Sequence, residues 1–365
     1  MSAQDIEFIG YINTREFSEI HPPVGPAIDP AYVRTVANAH EAAGFDRALV
    51  AFHATTPDSI IVATYAAAAT SRLNLMIAHR PGFSAPTVAA RQLATLDQFA
   101  SGRVAVHIIT GGDDEDLARD GDFTPKDERY ARTSEYLDIM RQEWTSPQPF
   151  DYAGRFYKVK GAHSTVRANI PVYFGGASDA AITVAGKHAD VYALWGESRA
   201  QVAEIIGRVR AAAREYGRRP RFSLSFRPIL AETEEKAWAR AEAIYEKGLA
   251  LDVGNDGKGN AGKVEASNTG SQRLRAMAAQ GDRLDKCLWT KMATLTGGRW
   301  NSTALVGTPE QVADTLADYY DLGVTTFLIR GYDPLEDALD YGRALIPLTR
   351  KLVAERQQAL GVAAE

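Results

Sequence analysis

The chain has 365 residues, 45% apolar and 24% charged, a globular balance that excludes large-scale disorder. Its 41 basic and 46 acidic residues leave a net charge of −5, which argues against a nucleic-acid or anionic-membrane partner. The lone Cys287 excludes a disulfide framework or thiolate zinc site within one chain. With no apolar run near the roughly 18 residues of a membrane span and no secretory pattern in Met1-Ser2-Ala3-Gln4-Asp5, a soluble cytoplasmic protein is expected.

Short β-type runs alternate with helical ones. Glu7 to Ile12 reads as a strand, Pro30 to Ala43 as a helix and Arg47 to Phe52 as a strand. Pro57 to Ala69 is helical and Leu73 to His79 extended. Ser84 is placed as an N-cap, with Pro86 in the first turn of a helix to Phe99. Val104 to Thr110 is the fourth strand, and Asp127 is expected to cap the helix carrying Leu137, Met140 and Trp144 on one stripe.

The second half repeats the scheme. Val172-Tyr173-Phe174 is a strand before a helix from Ser178, and Val191 to Leu194 is a strand before a Ser198/Gln201 capping box. Phe222 to Leu230 is a strand, followed by a helix capped by Thr233 and running through Tyr245. Thr308-Pro309-Glu310-Gln311 is a second capping box, Gly323 ends its helix, Thr325 to Ile329 is a strand, and Pro334 to Gln357 is the last helix. Strands separated by helices run parallel. Eight such units predict an α/β fold, a (β/α)8 TIM barrel forming one domain over residues 1–365, with a doubly wound open sheet as the competitor.

Residues 249–300 interrupt the pattern before the last βα unit. Gly254, Gly257, Gly259, Gly262 and Gly270 lie there with few large apolar residues. Such an insertion reads as a mobile lid or as a surface loop. Gly257 to Gly262 matches GxGxxG literally, but no strand precedes it, so it is not read as a dinucleotide site.

A barrel carries its chemistry at the C-terminal ends of its strands. Those ends hold His53, His79-Arg80, His107, Thr110, Gly175-Gly176-Ala177-Ser178, Trp195, Arg227, Arg330 and Tyr332. His53 and His79 are expected to line the mouth, whereas His107 among Val106, Ile108 and Ile109 reads equally as a core residue. Three strand-end histidines raise a metal site, but no carboxylate pair accompanies them and none is assigned. The Gly-Gly turn before Ser178 exposes amide N–H groups suited to phosphate. Arg227 and Arg330 sit in apolar surroundings where an unpaired charge is costly. A buried ion pair explains either, and an anionic ligand explains both.

The stretches Ser84-Ala85-Pro86-Thr87-Val88-Ala89-Ala90-Arg91-Gln92, Ala94-Thr95-Leu96-Asp97, Ser101-Gly102-Arg103 and Thr110-Gly111 resemble the bacterial luciferase-like flavin monooxygenases. So do Asp127-Glu128-Arg129-Tyr130, Tyr173 to Asp179, Trp195-Gly196-Glu197, Thr303 to Gly307 and Gly331-Tyr332. Within that family the resemblance is closest to the FMNH2-dependent alkanesulfonate monooxygenases. It implies a two-component enzyme: an NAD(P)H:FMN reductase supplies FMNH2, and O2 gives a C4a-(hydro)peroxyflavin that splits an organosulfonate into aldehyde and sulfite. It also implies a homo-dimer or tetramer.

By motif position, the resemblance puts His107 and Thr110 beside the flavin ring. It gives FMN to Arg129 and Tyr130, and its phosphate to Gly176, Ala177 and Ser178, with His53 and His79 on the flavin side. Trp195 and Tyr332 match the family's active-site aromatics. The substrate side departs from the family. Thr56 replaces a cysteine, Ser225-Phe226-Arg227 replaces Arg-x-His, and Pro334 replaces a histidine. A family arginine aligns near Thr296 or Arg299. Arg227, two positions from Ser225 on the same strand face, is expected to pair the substrate's anionic group, with Arg299 as a further catalytic candidate. An F420-dependent or other luciferase-like oxidoreductase and a non-catalytic flavin-binding relative remain as alternatives.

Overall fold

In a computed structural model, residues 6–253, 268–299 and 301–362 are described. Gly254, Gly257, Gly259 and Gly262, and with them the GxGxxG match, lie outside the described residues. The first half contains β1 (Glu7–Tyr11), α1 (Pro30–Ala42), β2 (Arg47–Val50), α2 (Ser59–Ala69), β3 (Asn74–His79), α3 (Pro86–Phe99) and β4 (Val104–Ile108). Then come α4 (Asp114–Arg119), α5 (Lys126–Thr145), β5 (Phe150–Ala153), β6 (Lys158–Ala162), β7 (Val172–Gly175) and α6 (Asp179–His188). Next are β8 (Val191–Trp195), α7 (Arg199–Arg214), β9 (Arg221–Leu230), α8 (Glu234–Ala250), α9 (Thr269–Ala278), β10 (Arg283–Leu284) and β11 (Leu288–Trp289). The chain closes with α10 (Lys291–Leu295), β12 (Ala304–Gly307), α11 (Pro309–Asp321), β13 (Val324–Ile329), α12 (Pro334–Asp340), a π-helical turn and α13 (Ile346–Val362).

Among the described residues, eight parallel strands close in the order β13-β1-β2-β3-β4-β7-β8-β9, with β9 returning to β13. This is the expected (β/α)8 barrel. β9 is long because its end, Arg227 to Leu230, leaves the ring and pairs with β12. β11 and β10 extend that edge antiparallel.

Side chains alternate across each strand. Ile9, Met76, Ala105, Tyr173, Val191 and Leu328 turn inward and form the central layer. Their neighbours Phe8, Leu75, Val106, Phe174, Tyr192 and Phe327 face the helices. The N-terminal end is closed by Arg47, whose Nε lies 2.7 Å from Glu7, and by the Tyr173 hydroxyl, which donates to Glu7 at 3.1 Å.

Local signals set the helix starts. Ser178 accepts from the Ala181 N–H, and Ser198 and Thr308 both form complete capping boxes. Two expected caps differ. α3 begins after Ala85 without a side-chain cap, because the Ser84 hydroxyl lies 3.3 Å from the Tyr136 hydroxyl instead. α5 begins at Lys126 after Pro125, one residue before Asp127. No helix of the described residues is long and apolar enough to cross a membrane.

Candidate functional site

The inward face continues past the central layer to the C-terminal mouth. One step up from Ile9, Ala105 and Leu328 stand Tyr11, His107 and Arg330. Two steps up from Met76, Val191 and Ser223 stand Arg80, Trp195 and Arg227. The strand order puts β4 opposite β13 and β7 opposite β1, so the mouth has two facing rims.

The β4–β7 rim gathers most of the expected cofactor residues. Gly176 has φ +135, and a Cβ there would lie 2.8 Å from the Ala181 Cβ and 3.2 Å from the Tyr130 hydroxyl. Only glycine lets the turn pass this close to α6. The Tyr130 hydroxyl also hydrogen-bonds Ser178, while burial pushes its pKa up. The Tyr192 hydroxyl donates to the Gly176 carbonyl and fixes the turn from below. Ala177 packs against the main core. Arg129 is 4% exposed. It donates to the Thr124 carbonyl at 2.7 Å and the Gly111 carbonyl at 3.5 Å, and pairs with the exposed Asp114 at 2.9 Å. Thus Tyr130, Gly176, Ala177 and Ser178 meet beside the N-terminus of α6, while Arg129, one residue before Tyr130, turns to Gly111, Asp114 and Thr124.

His107 faces the barrel axis beside this rim. Its ring is partly exposed, but Nδ1 is buried without a partner, as is the Thr110 hydroxyl. Burial pushes the His107 pKa down to about 4, so the imidazole is neutral at pH 7. Trp195 lies inward on β8, and a Cβ on Gly270 at the start of α9 would sit 3.1 Å from its ring. The Asn268 side chain, just before α9, donates to the Gly112 carbonyl at 3.4 Å. The described end of the insertion therefore touches both the β4 and β8 sides of the mouth.

The β9–β13–β1 rim is built differently. Glu19, in the loop after β1, lies 2.7 Å from Arg227 through one oxygen and 2.7 Å from Arg330 through the other. Burial would raise the Glu19 pKa, but the two guanidiniums hold it at about 2. Arg227 also donates to the Gly331 carbonyl at 2.9 Å and stacks 3.7 Å over the Tyr332 ring. Its side chain is 1% exposed. The expectation that Arg227 meets the substrate's anionic group is therefore corrected: Glu19 and Gly331 occupy its guanidinium and no face is open. Tyr332 is likewise buried beneath Arg227 and Ile20 rather than lining the mouth.

His79 also departs from expectation. It follows Ile77 on the outward face of β3, where its Nε2 lies 2.8 Å from the Tyr136 hydroxyl of α5. It packs between barrel and helix instead of lining the mouth. His53 stands exposed after β2. Near it, Arg80 pairs with Asp116 of α4 at 2.6 Å and stacks 4.9 Å from the Phe52 ring. Arg299 follows α10 and donates to the Thr296 carbonyl at 3.2 Å.

Glu19 and Asp116 are absent from the sequence reading. Glu19 lies in a loop without motif or periodicity. Two arginines at apolar strand ends did signal that a carboxylate must be near, but not which one. Among the described residues, no group of His, Cys, Asp and Glu could hold a metal ion.

Solved structures share this architecture. A riboflavin lyase (RcaE), solved with modified FMN and the substrate riboflavin, is 19% identical with a TM-score of 0.77 over 95% of this chain and 92% of that one. The EDTA monooxygenase EmoA from Chelativorans sp. BNC1 is 21% identical with a TM-score of 0.75, covering 97% and 95%. An F420-dependent secondary alcohol dehydrogenase is 16% identical with a TM-score of 0.69, covering 94% and 99%. At these identities the likeness concerns the fold. The sequence model described as luciferase-like monooxygenase matches residues 6–326, and with that match across the barrel and its mouth, the chain belongs to the luciferase-like monooxygenase family.

Proposed function

We propose that the chain is an FMNH2-dependent monooxygenase, supplied with reduced flavin by a separate NAD(P)H:FMN reductase. Its reaction consumes O2 and cleaves a small organosulfonate. One oxygen atom enters the aldehyde and the other leaves as water, the carbon–sulfur bond breaks, sulfite departs and the flavin is oxidised.

The observation that carries this reading is the cradle of Tyr130, Gly176 and Ser178 at the α6 N-terminus. Its residues fit a flavin phosphate. The glycine turn leaves no Cβ, the helix start presents amide N–H groups, and the Tyr130 hydroxyl stands beside Gly176 and Ser178. The orphaned Nδ1 of His107 and the Thr110 hydroxyl fit the polar edge of the ring. Reduced FMN, when bound, supplies the electrons that activate O2. The protein's own residues do the rest. A neutral His107 gives a hydrogen bond without a competing charge. Trp195 and the start of α9 cover the β8 side and keep water out.

Flavin-free protein is assayed with FMN, NAD(P)H, O2, a generic flavin reductase and a panel of sulfonates. Sulfite release that requires all four supports the proposal. Hydride transfer with F420, or tight binding of oxidised FMN without turnover on any sulfonate, overturns it.

A further inference from the structure

The phosphate cradle accounts for one anion-binding side of the mouth and leaves the charge on the other unexplained. Arg227, Glu19 and Arg330 sit together at the ends of β9 and β13 and in the loop after β1. Two arginines share one carboxylate, so the cluster carries one net positive charge. The surplus is not evenly spread. Arg227 is 1% exposed, paired with Glu19 at 2.7 Å, bonded to the Gly331 carbonyl and stacked on the Tyr332 ring. Arg330 is 20% exposed, turns inward above Leu328 and lies 4.9 Å over the ring of the inward-facing Tyr11. The Nε of each arginine is buried without a partner, so exposure is what separates the two. The surplus charge therefore reaches the mouth through Arg330, and Arg227 with Glu19 is its buried mount.

The position separates this charge from the flavin phosphate. β13 is opposite β4, and β1 is opposite β7, in the closed ring. A single phosphate held beside Ser178 cannot also reach Arg330, because the barrel mouth lies between them. The cluster serves a second anion.

We propose that Arg330 receives the anionic head of the substrate, and that the cluster of one surplus charge selects small organic monoanions over neutral analogues. The flavin reading enters only in naming this ligand the substrate. Glu19 and Arg227 are positioning residues: Glu19 fixes the Arg330 guanidinium at the rim, and Arg227 neutralises the carboxylate so that Arg330 stays available.

Flavin-free protein is titrated calorimetrically with hexanesulfonate, hexanoate and hexanol, and separately with FMN. Hexanesulfonate and hexanoate are expected to bind at least about tenfold more tightly than hexanol, the worth of a charge-assisted contact. Arg330→Gln leaves Glu19 paired with Arg227, and thermal melting checks that it folds. It is expected to erase the preference for the anions while leaving hexanol and FMN binding unchanged, and Arg330→Lys is expected to restore part of it. Equal binding of anion and alcohol by the parent protein overturns the proposal, as does an undiminished preference in Arg330→Gln. Weakened FMN binding in Arg330→Gln also overturns it, because the charge would then serve the flavin. Failure of the parent protein to bind FMN counts against the flavin reading alone and leaves the anion titration standing.

Discussion

Glu19 joins two guanidiniums, one through each carboxylate oxygen, so its replacement strips both of their counter-charge. Without its charge, Arg227 and Arg330 face each other across a buried space. Glu19→Gln is expected to destabilise the fold by about 3–5 kcal/mol, the usual penalty for breaking a buried pair, read by urea denaturation. His40 makes an opposite kind of demand. Its Nδ1 donates to the Val36 carbonyl at 2.7 Å, and its Nε2 accepts from the Tyr11 N–H at 3.3 Å. Both nitrogens are therefore satisfied only in the neutral ring. Burial lowers its pKa to about 4 from 6.5. The unfolded chain then binds more protons than the folded one between those values, so stability falls as pH drops from 6.5 toward 4. His79, also lowered to about 4 by burial, adds to the same window. Urea midpoints measured across it are expected to decline, and His40→Gln to flatten the decline. A pH-independent midpoint would contradict the assignment.

Helix starts were the most legible elements, because a cap is written in four consecutive residues. The boxes at Ser198 and Thr308 and the cap at Ser178 formed as their spacing implied. Thr308→Ala and Ser178→Ala are each expected to cost about 1 kcal/mol of stability. Only Ser178→Ala should also weaken FMN binding, which separates a cap from a cap that touches the cofactor; equal FMN affinity in the two variants would refute this. Elements outside the alternating scheme were not legible. The β5–β6 hairpin, α4 and β10–β11 are short, and their pattern is set by the surfaces they lie on. α9 follows a glycine-rich stretch, yet its Leu274 and Met277 are fully buried. α8 runs to Ala250, past the Tyr245 expected from its apolar spacing.

At the scale of the whole molecule, the barrel is a layered core that happens to end in a mouth. Ile9, fully buried in the central layer, supports Tyr11 and the loop bearing Glu19. Ile9→Ala is expected to cost about 2–5 kcal/mol, measured by denaturant titration, with anion binding weakened more than FMN binding because the damaged strand lies opposite the cradle. Period and alternation alone determined the eight strands and their parallel sense, since these depend on which residues an element must bury. The glycine turn at Gly175-Gly176 and the helix start at Ser178 were legible too, because a glycine turn before a helix start is local. Which arginine reaches the mouth and which is buried was decided only by the closed ring. It brings Glu19 to residues more than two hundred positions away, and the energy of a charge depends on neighbours in space.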